Sequence, residues 1–482
     1  MTRIVHRGTP ALVVAMALGA IISVGACGGF DITNPNQPTQ SDLETHPTRS
    51  KLAAAATGIF AGARSDITGF IWQVGSMGRE GINLSGNNQP DYQEPYFGPL
   101  SSTQFGGSQW AGRYANIRSI NVYLDAAPKA PDLSPEELAA SQGFGKTMEA
   151  LAFMYIIETR ANLGAPVDVD QPATAPPPPF VSEDSVYGFI IGLLDDAQTN
   201  LQAANGASFP FATPPGFTGF DQPSTFLLFN RALRAKAEVL RATAGCGQPC
   251  FAAALTTLPS TFISTDPSAL ATGPQFDFST ASGDQSNELA DPLDGTTFFA
   301  DTFVLVHAQH QADGALDARV LAKTARATRV PTWSIPAVPL PGALKYTIYF
   351  TGGQPDPSAP VPIIRDEELI LLRAEAELGT GNQGAALNDI NFIRTNSGKL
   401  PAISSGTWSG MSDADRIGEL LYERWYSLMW EQGTRWIDAR RYNRLDTIEV
   451  GVPDGQVPTR MPVPQDECSA RNLPTTCSPL GT

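Results

Sequence analysis

The densest group of ionisable side chains lies near the carboxy-terminal end of the sequence. Its members are Glu423, Arg424, Glu431, Arg435, Asp438 and Arg440. Carboxylates held beside cations can act as general acids and bases, so the pattern is one that a hydrolase could use. Spacings of three and four residues, however, place Glu431, Arg435 and Asp438 on one helix face, where ion pairing between neighbouring helices is the commoner role. We interpret the group as structural and predict no catalytic residue in it.

Histidine offers little further chemistry. His307 and His310 are three residues apart, a spacing that suits a shared metal ion, but neither a third clustered ligand nor an H-E-x-x-H motif follows. His46 stands alone, so the sequence contains no evident Ser-His-Asp arrangement. We therefore predict neither a metal nor a cofactor. A glycoside hydrolase that uses two carboxylates stays an alternative, because a sequence does not give the distance between two carboxylates in the folded protein.

Aromatic and amide side chains concentrate in a segment with little helical periodicity, from Arg79 to Phe97. Aromatic faces pack on the apolar faces of sugars, while amides and charged groups bond to their hydroxyls. The candidate ligand-binding residues are Arg79, Asn87, Asn88, Tyr92, Tyr96 and Phe97, with Trp333 near Tyr346 as a second candidate. The alternative is that these aromatics hold their own loops against the body of the protein.

The amino terminus predicts export. Arg3 and Arg7 precede an apolar run from Ala11 to Val24, which is too short to span a bilayer. The run ends in Val24-Gly25-Ala26-Cys27, which resembles the lipobox at which a signal peptidase cuts and the cysteine is acylated, for example with palmitate. We predict a signal peptide over residues 1–26 and a lipidated tether over residues 27–38. The alternative is an ordinary secretory signal with a chance cysteine.

Charge and cysteine content restrict the partners and the compartment. The net charge of −16 becomes −18 when Arg3 and Arg7 leave with the signal, and an acidic surface argues against nucleic acid as a ligand. Four cysteines then remain besides Cys27, an even number that favours disulfides in an exported protein. They are Cys246, Cys250, Cys468 and Cys477. Local pairing is the simplest of three possible connectivities, and a four-thiolate zinc site is the alternative.

Helical patterns fill both ends of the chain. Apolar residues recur at helical spacing in segments that begin near Leu52, Trp110, Met148, Val186 and Phe226, and again over 366–378, 384–395 and 412–430. Ser134, Pro135 and Glu137 form a capping box before the third of these helices, which Gly143 and Gly145 are expected to interrupt. Residues 251–361 form a loop-rich insert with brief strand-like runs at Thr302–Val306 and Lys345–Phe350. We predict one mostly α-helical domain over residues 39–482.

Several separate segments resemble the SusD/RagB family of outer-membrane nutrient-binding lipoproteins, in the order that the family has them. They are Met148–Tyr155 with Asn162–Val167, Pro362–Leu369 with Arg373–Ala376, Leu387–Arg394, Leu420–Trp425 with Glu431 and Arg435–Arg441, and Met461–Gln465. The insert and the Cys468 to Cys477 loop show no family pattern, so either could determine ligand choice.

The resemblance implies a mostly α SusD-like fold with tetratricopeptide-like helix pairs. It also implies a non-catalytic lipoprotein in the outer membrane, facing the cell exterior. Such a protein captures an oligosaccharide or another oligomeric nutrient and delivers it to a SusC-like TonB-dependent transporter. The alternatives are a helical-repeat scaffold that binds proteins only and, less favoured, a cell-surface glycoside hydrolase.

Overall fold

A computed structural model describes residues 39–85, 90–172, 174–329, 343–432, 434–451 and 454–481. The proposed signal peptide, the tether and Cys27 lie outside these ranges, so the boundaries at residues 26 and 38 stay predictions. None of the helices in the described ranges has the length and apolar character that a membrane span requires.

Helices dominate the amino-terminal half. They are α1 (Gln40–Thr45), α2 (Arg49–Arg64), α3 (Ile67–Met77), α4 (Pro90–Phe97), α5 (Ala111–Ala126), α6 (Pro135–Arg160), α7 (Glu183–Ala203), α8 (Pro223–Arg241) and α9 (Gln248–Thr257). Helices that follow one another pack together: α5 contacts α6, α6 contacts α7, and α7 contacts α8. This stacking buries the apolar face of each helix against its neighbours, as the tetratricopeptide-like prediction required.

The longest helix, α6, corrects one expectation. Ser134 caps it and Glu137 completes the capping box, as predicted. Gly143 and Gly145 do not interrupt it. A Cβ atom at Gly143 would lie 2.6 Å from Leu201, and one at Gly145 would lie 2.6 Å from Leu124. The two glycines therefore allow α5 and α7 to approach the helix closely, and their use is packing.

Helix α3 is mostly apolar and contains no charged residue, and the sequence analysis did not predict it. Every residue from Ile67 to Met77 is buried, so the helix is covered on all sides. It begins after Asp66, whose φ of +59° turns the chain out of α2. The buried helix leads directly into the segment that holds the candidate ligand residues.

The middle of the chain contains more regular structure than a loop-rich insert suggests. Its short elements are β2 (Gln275–Phe276), β3 (Phe298–Ala300), α10 (Phe303–Val306), α11 (Ala318–Lys323), β4 (Thr324–Arg326), β5 (Leu344–Tyr346), β6 (Phe350–Thr351), β7 (Gln354–Pro355) and β8 (Val361–Pro362). The strand predicted at Thr302–Val306 is wrong, because this run forms α10. The run Lys345–Phe350 is divided between β5 and β6.

One four-stranded antiparallel sheet joins the insert to the first half of the chain. Its order is β1-β3-β5-β4, where β1 (Gly81–Asn83) follows α3. Ile82 pairs with Phe299, and Ala300 pairs with Leu344. The separate pairs β2 with β8 and β6 with β7 complete the sheet structure of the described residues.

The carboxy-terminal part is again helical. It comprises α12 (Asp366–Gly379), α13 (Gln383–Asn396), α14 (Ser405–Gly410), α15 (Asp413–Leu428), α16 (Thr434–Arg441) and α17 (Gln465–Ala470). One apolar cluster extends from Leu43 in α1 to Cys468 in α17, so both helical parts contribute to the same core. Cys246 is bonded to Cys250 and Cys468 to Cys477, which is the local connectivity that the spacing favoured.

Candidate ligand-binding site

The candidate segment turns sharply at Arg79, between α3 and β1. Arg79 has a φ of +55° and is 0% exposed. Its guanidinium donates hydrogen bonds to the carbonyl oxygens of Ser76 (2.9 Å), Pro95 (3.0 Å) and Gln456 (2.9 Å). Burial lowers the pKa of Arg79, and these carbonyl groups partly replace the lost water. Arg79 therefore fastens three parts of the chain together and presents no donor to a ligand in this conformation.

Tyr96 belongs to the same buried arrangement. The Arg79 guanidinium lies 4.0 Å from the centre of the Tyr96 ring, and the Tyr96 hydroxyl donates to Asp301 Oδ2 at 3.1 Å. Tyr96 is 0% exposed, and burial raises the pKa values of both Tyr96 and Asp301. The expectation that Tyr96 and Arg79 present themselves to a ligand from a loop is corrected: Tyr96 lies on α4, and both side chains are covered.

Tyr92 and Phe97 also lie on α4, where the sequence suggested irregular structure. Tyr92 is 5% exposed, while Phe97 is half-buried. Both pack in a small apolar cluster between α4 and the sheet. The cluster consists of Ile82, Leu84, Tyr92, Tyr96, Phe299 and Ala343, with Phe97 and Ala327 at its margin. The alternative that these aromatics hold their own segment to the body is the one that the packing supports.

The cluster anchors two places at which the described chain is interrupted. Leu84 precedes residues 86–89, which contain Asn87 and Asn88, and these two candidates lie outside the described residues. Ala327 and Ala343 flank residues 330–342, which contain Trp333, and this candidate also lies outside them. The described ends of both segments thus pack against the same cluster, which we call the α4 platform: the six cluster residues together with Phe97 and Ala327.

A buried carboxyl lies beneath the platform. Glu80 is 0% exposed, and burial raises its pKa to about 8. Its backbone carbonyl accepts hydrogen bonds from the Asp301 amide and the Tyr346 hydroxyl, both at 2.8 Å. Trp430, whose ring stacks 4.7 Å from that of Tyr346, closes the space next to the Glu80 side chain. The protonated carboxyl is enclosed by protein and has no route to a ligand in this conformation.

The sequence did not identify the partners that bury Arg79 and Tyr96. Asp301 lies 205 residues from Tyr96, and the Gln456 carbonyl lies 377 residues from Arg79. A local pattern contains no information on such contacts, since they depend on the packing of the whole chain. In the sequence, the turn after α3 could be recognised only because the helical periodicity is lost there.

The cluster of charges near the carboxy terminus is a buried ion-pair network. Glu423 is 0% exposed and faces Arg319 at 2.6 Å and Arg394 at 2.9 Å. Arg424 lies 2.7 Å from Asp438, which also pairs with Arg441 at 2.7 Å. These pairs join α11, α13, α15 and α16, so the structural interpretation agrees with the geometry.

One detail of that interpretation is wrong. Glu431 lies in the turn between α15 and α16, not on a helix face with Arg435 and Asp438, because the chain leaves α15 and Trp430 takes a φ of +58°. Glu431 instead pairs with Arg365 at 2.8 Å and Lys323 at 2.9 Å, and Arg435 pairs with Glu449. The two cations lower the pKa of Glu431 despite its burial.

The histidine pair does not form a common site. His307 contacts the Glu449 carboxylate, whereas His310 pairs through its backbone with Leu316. Within the described ranges, His, Cys, Asp and Glu side chains form no group of three or more that could hold a metal ion.

Comparison with known proteins agrees with this architecture. A sequence model of the SusD family matches residues 352–467, a range that contains four of the resembling segments, from Pro362–Leu369 to Met461–Gln465. No curated protein matches the chain.

Solved structures share the fold over most of the chain. A SusD superfamily protein from Bacteroides vulgatus has a TM-score of 0.65 and 14% identity, covering 88% of this chain and 97% of its own. One from Parabacteroides distasonis has a TM-score of 0.64 and 16% identity, covering 86% and 97%. A SusD-like carbohydrate binding protein from Bacteroides vulgatus has a TM-score of 0.61 and 14% identity, covering 82% and 83%. A model of the SusD family thus matches the carboxy-terminal part of the chain, and solved SusD superfamily proteins share its fold over most of its length.

Proposed function

We propose that this protein is a non-catalytic, surface-exposed lipoprotein that captures an oligosaccharide or another oligomeric nutrient and delivers it to a SusC-like TonB-dependent transporter. The observation that carries the proposal is the SusD family match over residues 352–467, within a chain that shares the fold of SusD superfamily proteins over most of its length. The lipobox-like Val24-Gly25-Ala26-Cys27 supports anchoring in the outer membrane through lipid on Cys27. Capture requires reversible contacts and no bond cleavage, which agrees with charges that serve as structural ion pairs.

A saccharide is the ligand class that we favour. One protein of similar fold is described as a SusD-like carbohydrate binding protein. The chain also offers amide and aromatic side chains, Asn87, Asn88 and Trp333, in two segments whose described ends meet at the α4 platform. We propose these three as ligand contacts. Arg79, Tyr92, Tyr96 and Phe97 then act as supports that hold the platform in place.

The transporter partnership is tested by what copurifies with the protein. The tagged, lipidated protein is isolated from gently solubilised native membranes and its companions are identified by mass spectrometry. We expect a TonB-dependent transporter in near-stoichiometric amount, and we expect Cys27→Ala to lose membrane attachment. Absence of a transporter, under conditions that preserve other membrane complexes, would favour the helical-repeat scaffold.

Ligand capture is tested by calorimetric titration of the soluble part, residues 28–482, with neutral and acidic oligosaccharides. Binding without cleavage of the saccharide supports the proposal, whereas release of shorter products would favour a glycoside hydrolase. Replacement of Asn87, Asn88 and Trp333 by alanine is expected to weaken binding at least tenfold. Gln202→Ala, at an exposed position of α7, is the matched control and should leave the affinity unchanged.

A further inference from the structure

A second region of the molecule has the form of a binding site. A cavity of about 690 Å³ lies between the start of α5, the proline-rich connection before α7, and α17. Small-molecule sites commonly have volumes of about 300–1,000 Å³. This cavity is separate in sequence from the α4 platform, because its walls come from residues 102–114, 166–169, 177–178 and 464–471. It also borders the Cys468 to Cys477 loop, which shows no family pattern.

One wall of the cavity is apolar and rigid. It contains Trp110, Tyr114, Pro177 and Pro178. Trp110 is stacked against Phe180 at 5.8 Å and lies 4.8 Å from the Tyr114 ring. The Tyr114 hydroxyl donates to the Pro166 carbonyl at 2.9 Å, which fixes the orientation of its ring. Trp110 is only 5% exposed and therefore supports this wall from behind. The partly exposed Tyr114 and the two proline rings offer C–H and π surface for the apolar face of a sugar ring.

The polar members of the lining form a second group, which we call the polar wall. It carries the side chains of Ser102, Gln465, Asp466, Glu467 and Arg471. Arg471 pairs with Glu467 at 2.7 Å, and its guanidinium lies 4.7 Å from the Phe180 ring. Asp466 is exposed. The wall thus contains two carboxylates against one guanidinium, so it accepts hydrogen bonds from hydroxyl groups and repels anions.

The polar wall is held to the rest of the protein. The Ser102 hydroxyl donates to the Thr475 carbonyl at 3.1 Å, and the backbone N–H of Gln465 donates to the Ser102 carbonyl at 3.1 Å. The disulfide between Cys468 and Cys477 closes the loop that contains Thr475. A wall fixed in this way loses little conformational entropy when a ligand binds.

We infer that this cavity is a second subsite, one that takes a ring of a neutral saccharide. The inference rests on the proposed function, since it assumes that the captured nutrient is a glycan. The lining combines apolar rings with hydroxyl, amide and carboxylate groups, which is the combination that a neutral sugar ring requires. The excess of carboxylates selects against uronic acids and phosphorylated sugars.

The test fills the cavity without disturbing the core. Ala111 lines the cavity and is exposed, so Ala111→Trp places a ring in the space that a sugar would occupy. Ala115, one turn further along α5, is exposed and is not part of the lining, which makes Ala115→Trp the matched control. Both variants and the unmodified protein are titrated with neutral hexasaccharides of glucose, mannose, xylose and galactose. The hexasaccharide that binds is then prepared with a photoreactive group and its cross-linked peptides are mapped.

We expect Ala111→Trp to weaken hexasaccharide binding about tenfold and Ala115→Trp to change it less than twofold. Cross-links on residues 464–471 or 102–114 that disappear in Ala111→Trp would support the subsite. Unchanged binding in Ala111→Trp, with cross-links only elsewhere, would overturn the subsite and leave the proposed function intact. If the unmodified protein binds no saccharide, glycan capture and the subsite both fail. Binding of a basic or proline-rich peptide in the cavity, in place of saccharides, would also overturn the subsite.

Discussion

Replacement of Glu80 by glutamine should stabilise the protein at neutral pH. Glu80 is fully buried beneath the α4 platform, and its Oε1 atom has no hydrogen-bond partner among the described residues. Burial raises its pKa from 4.5 to about 8, so the folded chain holds this proton at pH 7. Glutamine has nearly the same shape and no charge, and its side-chain oxygen keeps the acceptor position opposite the Trp430 amide.

The magnitude follows from proton linkage. Because the folded pKa is the higher one, the contribution of Glu80 to stability is fully present below about pH 4.5. It decreases as the unfolded chain ionises and is lost as the pH rises to about 8. At pH 7 the pH lies about 2.5 units above the ordinary value, and each unit is worth 1.36 kcal/mol, so the loss is about 3 kcal/mol. Glu80→Gln removes this loss.

Urea unfolding, followed by circular dichroism from pH 5 to pH 8, measures the effect. We expect the free energy of unfolding of Glu80→Gln, relative to the unmodified protein, to rise by about 2–3 kcal/mol between pH 5 and pH 7, since a small part of the loss is already present at pH 5. Other buried carboxyls with raised pKa values, such as Glu149 and Glu377, titrate equally in both proteins and cancel. Glu44→Gln, at an exposed position, should show no such rise. A difference that stays constant across this range would refute the buried-proton argument and indicate an ionised, paired Glu80.

Two further substitutions test the interpretation of buried groups. Tyr96→Ala should cost about 3–5 kcal/mol of unfolding free energy because it leaves a cavity beside Arg79, and Tyr96→Phe about 1 kcal/mol through the lost bond to Asp301. Weakened ligand binding by Tyr96→Ala with unchanged stability would instead restore Tyr96 as a direct contact. Arg424→Met should cost about 3–5 kcal/mol, because it leaves Asp438 buried with Arg441 alone. Arg118→Met breaks an exposed contact with Asp170 and should cost less than about 1 kcal/mol, so equal costs would contradict the role of burial.

Local patterns predicted the amphipathic helices well, and they failed where burial is complete. The stripe from Leu52 predicted α2, and the capping box at Ser134 predicted the start of α6. Helix α3 was missed because it is buried on all sides and contains no charged residue to mark an exposed face. The glycines of α6 led to a wrong prediction of a helix break for a related reason. They allow close contact with Leu201 and Leu124, and the pattern of a single helix contains no information on such neighbours.

Contacts between distant parts of the chain also explain why the candidate site differs from the prediction. The sequence grouped Arg79, Tyr92 and Tyr96 with Asn87 and Asn88 because all five lie in one stretch of polar and aromatic residues. In the structure, contacts from Asp301 and residues 449–456 cover Arg79 and Tyr96. A guanidinium that is 0% exposed and bonded to backbone carbonyls is already satisfied, and a ligand would have to displace those bonds to reach it. The covered pair Arg79 and Tyr96 is therefore better suited to holding α4 against the sheet than to contacting a ligand.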